Sequence, residues 1–234
     1  ALLLACHPSC LLDYMQPVCD LATVTYRQHV CDREIGHSVN AKAERSGATR
    51  AKLLAAGRKL FAAHGYAGVG TEEIVTSAGV TRGALYHHFA DKRDLFRAVH
   101  ESMEEELVGR IGAALARVTS DDPMDALRAA VPAFLDLAAD PGLARITLVE
   151  APSVLGWAEW REIDTRYGLG LAEAAIGAAI EAGRMPDQPV RPLAHLLLAA
   201  MGEAGIMVAT AADPAAARRE VEPALIGFVE GLVR

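Results

Sequence analysis

The chain has 234 residues, is 52% hydrophobic and 5% aromatic, and carries a formal net charge of −7 at pH 7. That length suits one or two domains with a substantial core, and the abundant Ala with few β-branched runs argues for an all-α chain and against a β architecture. No stretch reads as the ~20 apolar residues needed to span a membrane.

The charge is unevenly placed. Residues 1–48 carry four Lys/Arg against five Asp/Glu, residues 49–101 eight against five, and residues 102–234 eleven against twenty. A basic stretch next to an acidic body is expected where only that stretch meets phosphate.

Residues 1–45 do not share the pattern of the rest and are expected to be a poorly ordered extension. They hold all four cysteines, Cys6, Cys10, Cys19 and Cys31, with His7, His29 and His37. The cysteine spacings fit no common zinc finger, so no metal is expected. The LLLAC at residues 2–6 resembles a lipoprotein cleavage box but lacks a basic n-region.

Helical periodicity begins at 49–64, with Leu53, Leu60, Phe61 and His64 on one face and Gly65 as the stop. Residues 72–78 and 82–88 read as two short helices around a tight turn. Thr71 is placed to cap the first, Glu72 and Glu73 favour its positive end, and Ile74, Val75 and Ala78 make its apolar stripe. Gly79 supplies the left-handed stop. Thr81 is placed to cap the second helix, in which Leu85 and Phe89 face inward. Arg82, Gly83, Ala84, Tyr86 and His87 then fall outward. Small residues there let the backbone approach a surface, Arg can pair with guanine or phosphate, and Tyr and His reach phosphate oxygens. Asp91 caps a long helix over 91–118, with Lys92 at its start directed at phosphate. Its stripe is Leu95, Phe96, Val99, Met103, Leu107, Ile111, Ala114, Leu115 and Val118.

The stretch 49–100 resembles the N-terminal domain of the tetracycline-repressor-like (TetR) family. The resemblance lies in KLLAAGRKLFAAHGY, in AGVTRGALYHHF and in DKRDLF. It covers about fifty residues of the chain. It implies an all-α fold with a three-helix helix-turn-helix DNA-binding domain at 46–100. Residues 101–234 would then be a larger helical body that dimerises and holds a small molecule. It implies a cytoplasmic, dimeric transcription regulator acting on a near-palindromic DNA operator, with no cofactor. By residue match, Arg82, Gly83, Ala84, Tyr86 and His87 would approach bases or nearby phosphates, and Thr71, Thr81, His88 and Lys92 would anchor phosphates. Glu72 departs from an arrangement in which a basic residue there helps to read bases.

The body reads as helices at 123–139, 142–155, 159–182, 190–212 and 214–233, punctuated by Pro, Gly and Asp. Both tryptophans, Trp157 and Trp160, cluster with Tyr167 where Pro152 and Gly156 disturb a helix. That cluster is a reasonable cavity wall, and the cavity is expected to use Phe134, Leu137, Leu148, Trp157, Trp160, Tyr167 and Met201, with Glu203 as a polar anchor. Residues 193–212 are apolar nearly all round and should be buried. The last two helices are expected to supply the dimer interface through Leu197, Met201, Ile206, Leu225, Phe228 and Leu232.

Enzyme signatures are missing: GVG at 68–70 lacks a third glycine and a preceding strand, and His87-His88 lacks the HExxH spacing. The chain is therefore expected not to be an enzyme. Two competing readings are a metal- or thiol-responsive regulator using the N-terminal cysteines, and an all-α enzyme or carrier using the aromatic cavity.

Overall fold

The structure is a computed structural model that describes residues 36–232, with side chains from residue 43. Among these residues there are ten α-helices, one π-helical turn and no strand. The four cysteines, and the readings built on them, lie outside the described residues. The first helix, α1, spans Gly36–His64 and so begins before the residue 49 expected from periodicity.

The N-terminal helices follow their local signals closely. Gly65 ends α1 at φ 74, a conformation that costs a side-chain-bearing residue about 1–2 kcal/mol. Helix α2 is Thr71–Ala78. Its N-cap is Gly70 and has no side-chain cap, so Thr71 is the first helical residue and not the expected cap. Gly79 closes α2 at φ 63, ψ 38, and the Val80 amide returns to the Val75 carbonyl at 3.0 Å. Thr81 does cap α3 (Arg82–His88), accepting from the Ala84 amide at 3.2 Å. Asp91 caps α4 (Lys92–Leu115) from the Asp94 amide at 2.7 Å, while Asp94 accepts from the Ala90 amide at 3.0 Å. The two carboxylates thus satisfy the Asp94 amide in the first turn and the Ala90 amide just ahead of the helix.

The core under this region is built from Leu53, Phe61, Ile74, Leu85, Leu95 and Phe96, all fully buried. Phe96 meets Phe61 and Tyr66 edge-on, at 5.2 Å between ring centroids in each case. Gly57 lets α1 cross α4 closely, since a Cβ there would lie 3.2 Å from Val99. The long helix then carries its apolar stripe onward. Met103, Leu107, Ile111 and Leu115 are buried as their spacing predicts. Twenty-four residues give it about 36 Å of length.

Five further segments follow in the body: α5 (Pro123–Ala138), α6 (Pro141–Ala144), a π-helical turn (Arg145–Glu150), α7 (Ala151–Leu155) and α8 (Trp157–Glu181). The single helix expected over 142–155 is thus three pieces. Pro152 cannot donate a helix bond. The Thr147 carbonyl accepts the Trp160 indole N–H at 3.1 Å, and the Ala151 amide shifts back to the Ile146 carbonyl. A longer-period turn is the outcome. Gly156, at φ 81, then breaks α7 from α8.

The last two helices are α9 (Val190–Thr210) and α10 (Pro214–Gly231). Contrary to the sequence expectation, α9 is long and apolar enough to cross a membrane by length and composition, with mean hydropathy 1.6 in its best window. It packs instead on α5, α8, α10 and the π-helical turn. Leu193, Leu197, Ala204 and Val208 are buried, yet Leu196 and Met207 are 62% and 52% exposed. Full burial of this helix was the wrong expectation for the isolated chain. The interface residues proposed from sequence also need correction. Leu197, Met201 and Leu225 are buried within the protomer, and Ile206 and Leu232 are half-buried. Phe228 is the one of the six with an exposed side chain, at 43%.

Candidate nucleic-acid interface and cavity

Helix α3 presents Arg82, Gly83, Tyr86 and His87 to solvent, while Leu85 anchors the opposite side. Ala84 is half-buried behind them. A Cβ added at Gly83 would have only the Thr81 hydroxyl near it, at 3.9 Å, so the backbone here is open to an approaching surface. The Arg82 guanidinium sits 5.6 Å from the Tyr86 ring centre and pairs with Glu72 of α2 at 3.1 Å. Both ends of that pair are exposed, so it adds little stability. It does hold Arg82 in a defined place and offsets its charge. Glu72 therefore acts on the outer face by restraining Arg82, and it brings a negative charge close to any phosphate that Arg82 contacts.

The remaining expected anchors divide. Thr71 is half-buried at the start of α2, and the Thr81 hydroxyl is engaged as a helix cap. His88 meets His87 edge-on, with ring centroids 5.1 Å apart. Burial, followed by the charges of His87 and Arg50, holds its imidazole below the usual histidine range. It therefore offers a neutral hydrogen-bonding edge at neutral pH. Lys92 does not point outward to phosphate as its position suggested. Its ammonium donates to the carbonyls of Tyr66 at 2.9 Å and Val69 at 3.0 Å and lies 4.1 Å from the Tyr66 ring centre. It fastens the loop between α1 and α2. Arg50, not singled out from the sequence, is exposed at the same end, 5.4 Å from the Phe89 ring centre.

The body encloses a cavity of about 370 Å³, walled by α4, α5, the π-helical turn, α8 and α9. Phe134, Leu148, Trp157, Trp160, Met201 and Glu203 line it, as their clustering suggested. Leu137 and Tyr167 do not. Leu137 is buried in the core on another face of α5, and Tyr167 is half-buried against the core, with its phenol raised above its usual range by burial and by nearby Glu101 and Glu105. Leu197 and Ile206, expected at a subunit interface, belong to the cavity wall. The two indoles lie 4.9 Å apart between centroids. Gly205 is required where α9 crosses the wall, because a Cβ would come within 3.0 Å of Leu148 and 2.9 Å of Phe134.

Three polar residues of the wall could not be singled out from the sequence: Glu104, Arg161 and Asp164. Glu104 sits in the acidic run Glu104-Glu105-Glu106, which reads as an ordinary solvated face. Only packing shows that Glu104 is 8% exposed. Burial, reinforced by the charge of Asp164, pushes its carboxyl up to about 8. One turn earlier, fully buried His100 has no hydrogen-bond partner on either ring nitrogen among the described residues, and its Nδ1 is 3.7 Å from Glu104 Oε1. Burial lowers its imidazole to about 4. Burial also raises Asp164, against the opposing pull of Arg161.

These directions predict a pH signature. Glu104 titrates higher when folded than at its ordinary 4.5, so the native state holds the proton more tightly. Its contribution to stability is therefore lost as pH rises from about 4.5 through 8. His100 has the opposite sign: its folded value lies below the ordinary 6.5, so stability is lost as pH falls from 6.5 through 4. The two slopes oppose each other at mildly acidic pH, and Glu104 alone remains at neutral to basic pH. Glu104→Gln is expected to be more stable than the parent at pH 8–9 by on the order of 1–3 kcal/mol, with a smaller advantage at pH 5. Thermal melts across this range check it, and a difference that does not vary with pH contradicts it.

The geometry has clear parallels. Residues 53–99 match the sequence model described as bacterial regulatory proteins, tetR family, and residues 124–232 match tetracyclin repressor-like, C-terminal domain. The transposon Tn10 TetC protein of Escherichia coli is 27% identical over 158 residues, covering 68% of this chain and 79% of that protein. The HTH-type transcriptional activator FasR of Mycolicibacterium smegmatis is 40% identical over 87 residues, 37% of this chain and 39% of FasR. The crystal structure of a TetR-family transcriptional regulator from Pectobacterium atrosepticum superposes with a TM-score of 0.72 at 32% identity. It covers 81% of this chain and 96% of that one. With a helix-turn-helix head and a helical body both matched, this chain belongs to the TetR family of DNA-binding transcriptional regulators.

Proposed function

We propose that the chain is a repressor that leaves its operator when a small, mainly apolar molecule enters the body cavity. Residues 46–100 form the DNA-binding head and residues 101–234 the effector-binding and dimerising body. Two heads engage a near-palindromic duplex in successive major grooves, roughly 34–36 Å apart. The dimer works in the cytoplasm and performs no catalysis. Pairing of the heads is needed because one head, with eight cationic against five anionic residues, is a weak binder alone. The exposed stripe of Leu196, Ala199 and Met207 on α9 and the Phe228 face of α10 support a second copy as the covering partner.

The observation that carries the regulatory reading is the π-helical turn. Leu148 places it in the cavity wall. Two residues on, Glu150 accepts the Tyr66 amide at 2.6 Å, and at its other end Arg145 donates to the carbonyls of Ala62 and Ala63 at 3.1 and 2.8 Å. These groups hold the C-terminal end of α1. Arg93 of α4 adds a second tie, donating to the Val154 and Leu155 carbonyls at 3.1 and 2.7 Å and to Glu159 at 2.6 Å. One short, non-standard turn thus touches both the cavity and the head. Such turns occur often at functional positions.

A ligand shifts DNA affinity only through its preference between two arrangements, and a tenfold loss corresponds to about 1.4 kcal/mol of coupling. Glu150→Ala is expected to reduce a tenfold coupling to under threefold, with ligand affinity for the free protein within about twofold of the parent. Operator titrations with and without ligand, run on parent and variant, measure this. Full coupling in the variant contradicts the π-helical turn as the link. Ligands confirmed in the cavity that leave parent operator affinity unchanged contradict the repressor-release reading.

A further inference from the structure

We infer that the cavity selects an apolar molecule bearing one positive charge, an alkyl- or aryl-substituted ammonium, with Glu104 as its counter-ion. The inference rests on the cavity being the effector site and adds the chemistry of what enters.

Glu104 is the starting point. It lines the cavity, it is nine-tenths buried, and it makes no hydrogen bond to the described residues. The ion-pair neighbour His100 Nδ1, at 3.7 Å, is beyond hydrogen-bond distance. A buried carboxyl without a partner is rare in folded proteins, because burial removes water without replacing it. A ligand group that supplies the partner recovers that loss.

The charges around it decide the sign of that group. Helix α4 contributes Glu104 with His100 behind it, α8 contributes Asp164 and Arg161, and α9 contributes Glu203. The cavity residues of α5 and the π-helical turn are apolar. Arg161 is already committed to Asp164 at 2.7 Å and to the His195 carbonyl at 3.2 Å. The carboxyl of Glu104 remains without a Lys or Arg partner among the described residues, whereas Glu203 is exposed to solvent. An anionic ligand would face Glu104 with no free guanidinium of the cavity wall to receive it. A cation meets the Glu104 carboxylate, and the Trp157 and Trp160 rings that line the same cavity add attraction to positive charge. The rest of the wall, including Leu107, Ile111, Phe134 and Leu148, takes the apolar remainder.

Proton balance gives the inference a second signature. Burial keeps Glu104 protonated at neutral pH. A permanently charged ligand draws it into the carboxylate form, so binding releases a proton and strengthens as pH rises from 6 to 8. His100 stays neutral throughout this window.

The test uses the full chain and three eight-carbon probes that differ in charge: octyltrimethylammonium, octan-1-ol and octanoate. Tryptophan fluorescence and calorimetry read binding at pH 6, 7 and 8. The cation is expected to bind at least tenfold tighter than either of the others at pH 8, with affinity falling toward pH 6. Glu104→Gln should remove that tenfold preference, and Glu104→Asp, which keeps the charge, should retain most of it. Tighter binding of octanol or octanoate, or a cation affinity indifferent to Glu104→Gln, overturns the charge assignment while the cavity stands. Failure of all three probes to bind overturns the cavity as well. Cation binding that leaves operator affinity unchanged supports the charge assignment and contradicts the repressor-release reading.

Discussion

Gly83→Leu is expected to lower operator affinity by at least a hundredfold while leaving the fold intact. The two halves of that expectation rest on the same observation. A Cβ at Gly83 would have only the Thr81 hydroxyl near it, at 3.9 Å, so a side chain starts from there without displacing a protein atom. Gly83 lies in the first turn of α3, where replacing glycine does not cost helix stability. That space is the room the proposal assigns to DNA. A leucine between Arg82 and Tyr86 would hold the backbone of α3 away from the base edges. Each base edge that α3 can no longer reach costs about 1–3 kcal/mol, and in a dimer both heads are affected. Circular dichroism and melting should match or exceed the parent, while operator titration at fixed salt shows the weakened binding. An operator Kd within fivefold of the parent would mean that α3 does not enter the groove by this face.

The double substitution Met207→Asp, Phe228→Asp is expected to turn a dimer into a monomer at 10 µM protein and to cost operator binding about a hundredfold. Met207 and Phe228 are large apolar side chains left about half exposed on α9 and α10. In a two-fold interface each residue is used twice, so each aspartate is also introduced twice and would be buried without a partner. The positions are chosen for the clean result they allow. Leu197 and Leu225 are 4% and 5% exposed, so charges there would unfold the protomer and say nothing about assembly. Sedimentation of the variant beside the parent decides the matter. A variant that stays dimeric with unchanged melting behaviour places the interface elsewhere.

Most of the architecture could be read along the chain because helices are signalled locally. The Gly79 stop, the Thr81 and Asp91 caps and the three-and-four spacing from Leu95 to Leu115 act within one or two turns. Their structural counterparts fall within a few residues of expectation. The exposed face of α3 followed in the same way, since a seven-residue helix anchored by Leu85 leaves one side outward. Lys92 shows where local reading ends. Its position at the start of α4 is local, but the carbonyls that bind its ammonium lie more than twenty residues earlier.

The tertiary structure alone decided which side of each body helix counts as inside. Glu104 and Glu105 are neighbours in one acidic run, yet packing buries the first against the cavity and leaves the second exposed. The apolar α9 gives no pattern from which to choose a face, so Leu197 went to the cavity and Leu196 to the surface by the arrangement of α5, α8 and α10 around it. The π-helical turn likewise depends on a long-range event, the Trp160 indole taking the Thr147 carbonyl. Composition and periodicity determined that this chain is a set of helices, and the motif of residues 71–92 marked the hairpin that resembles a DNA-reading one, because those signals are carried by neighbouring residues. The polar groups of the cavity and their link to the head required the fold, because each is made by residues that the sequence holds far apart.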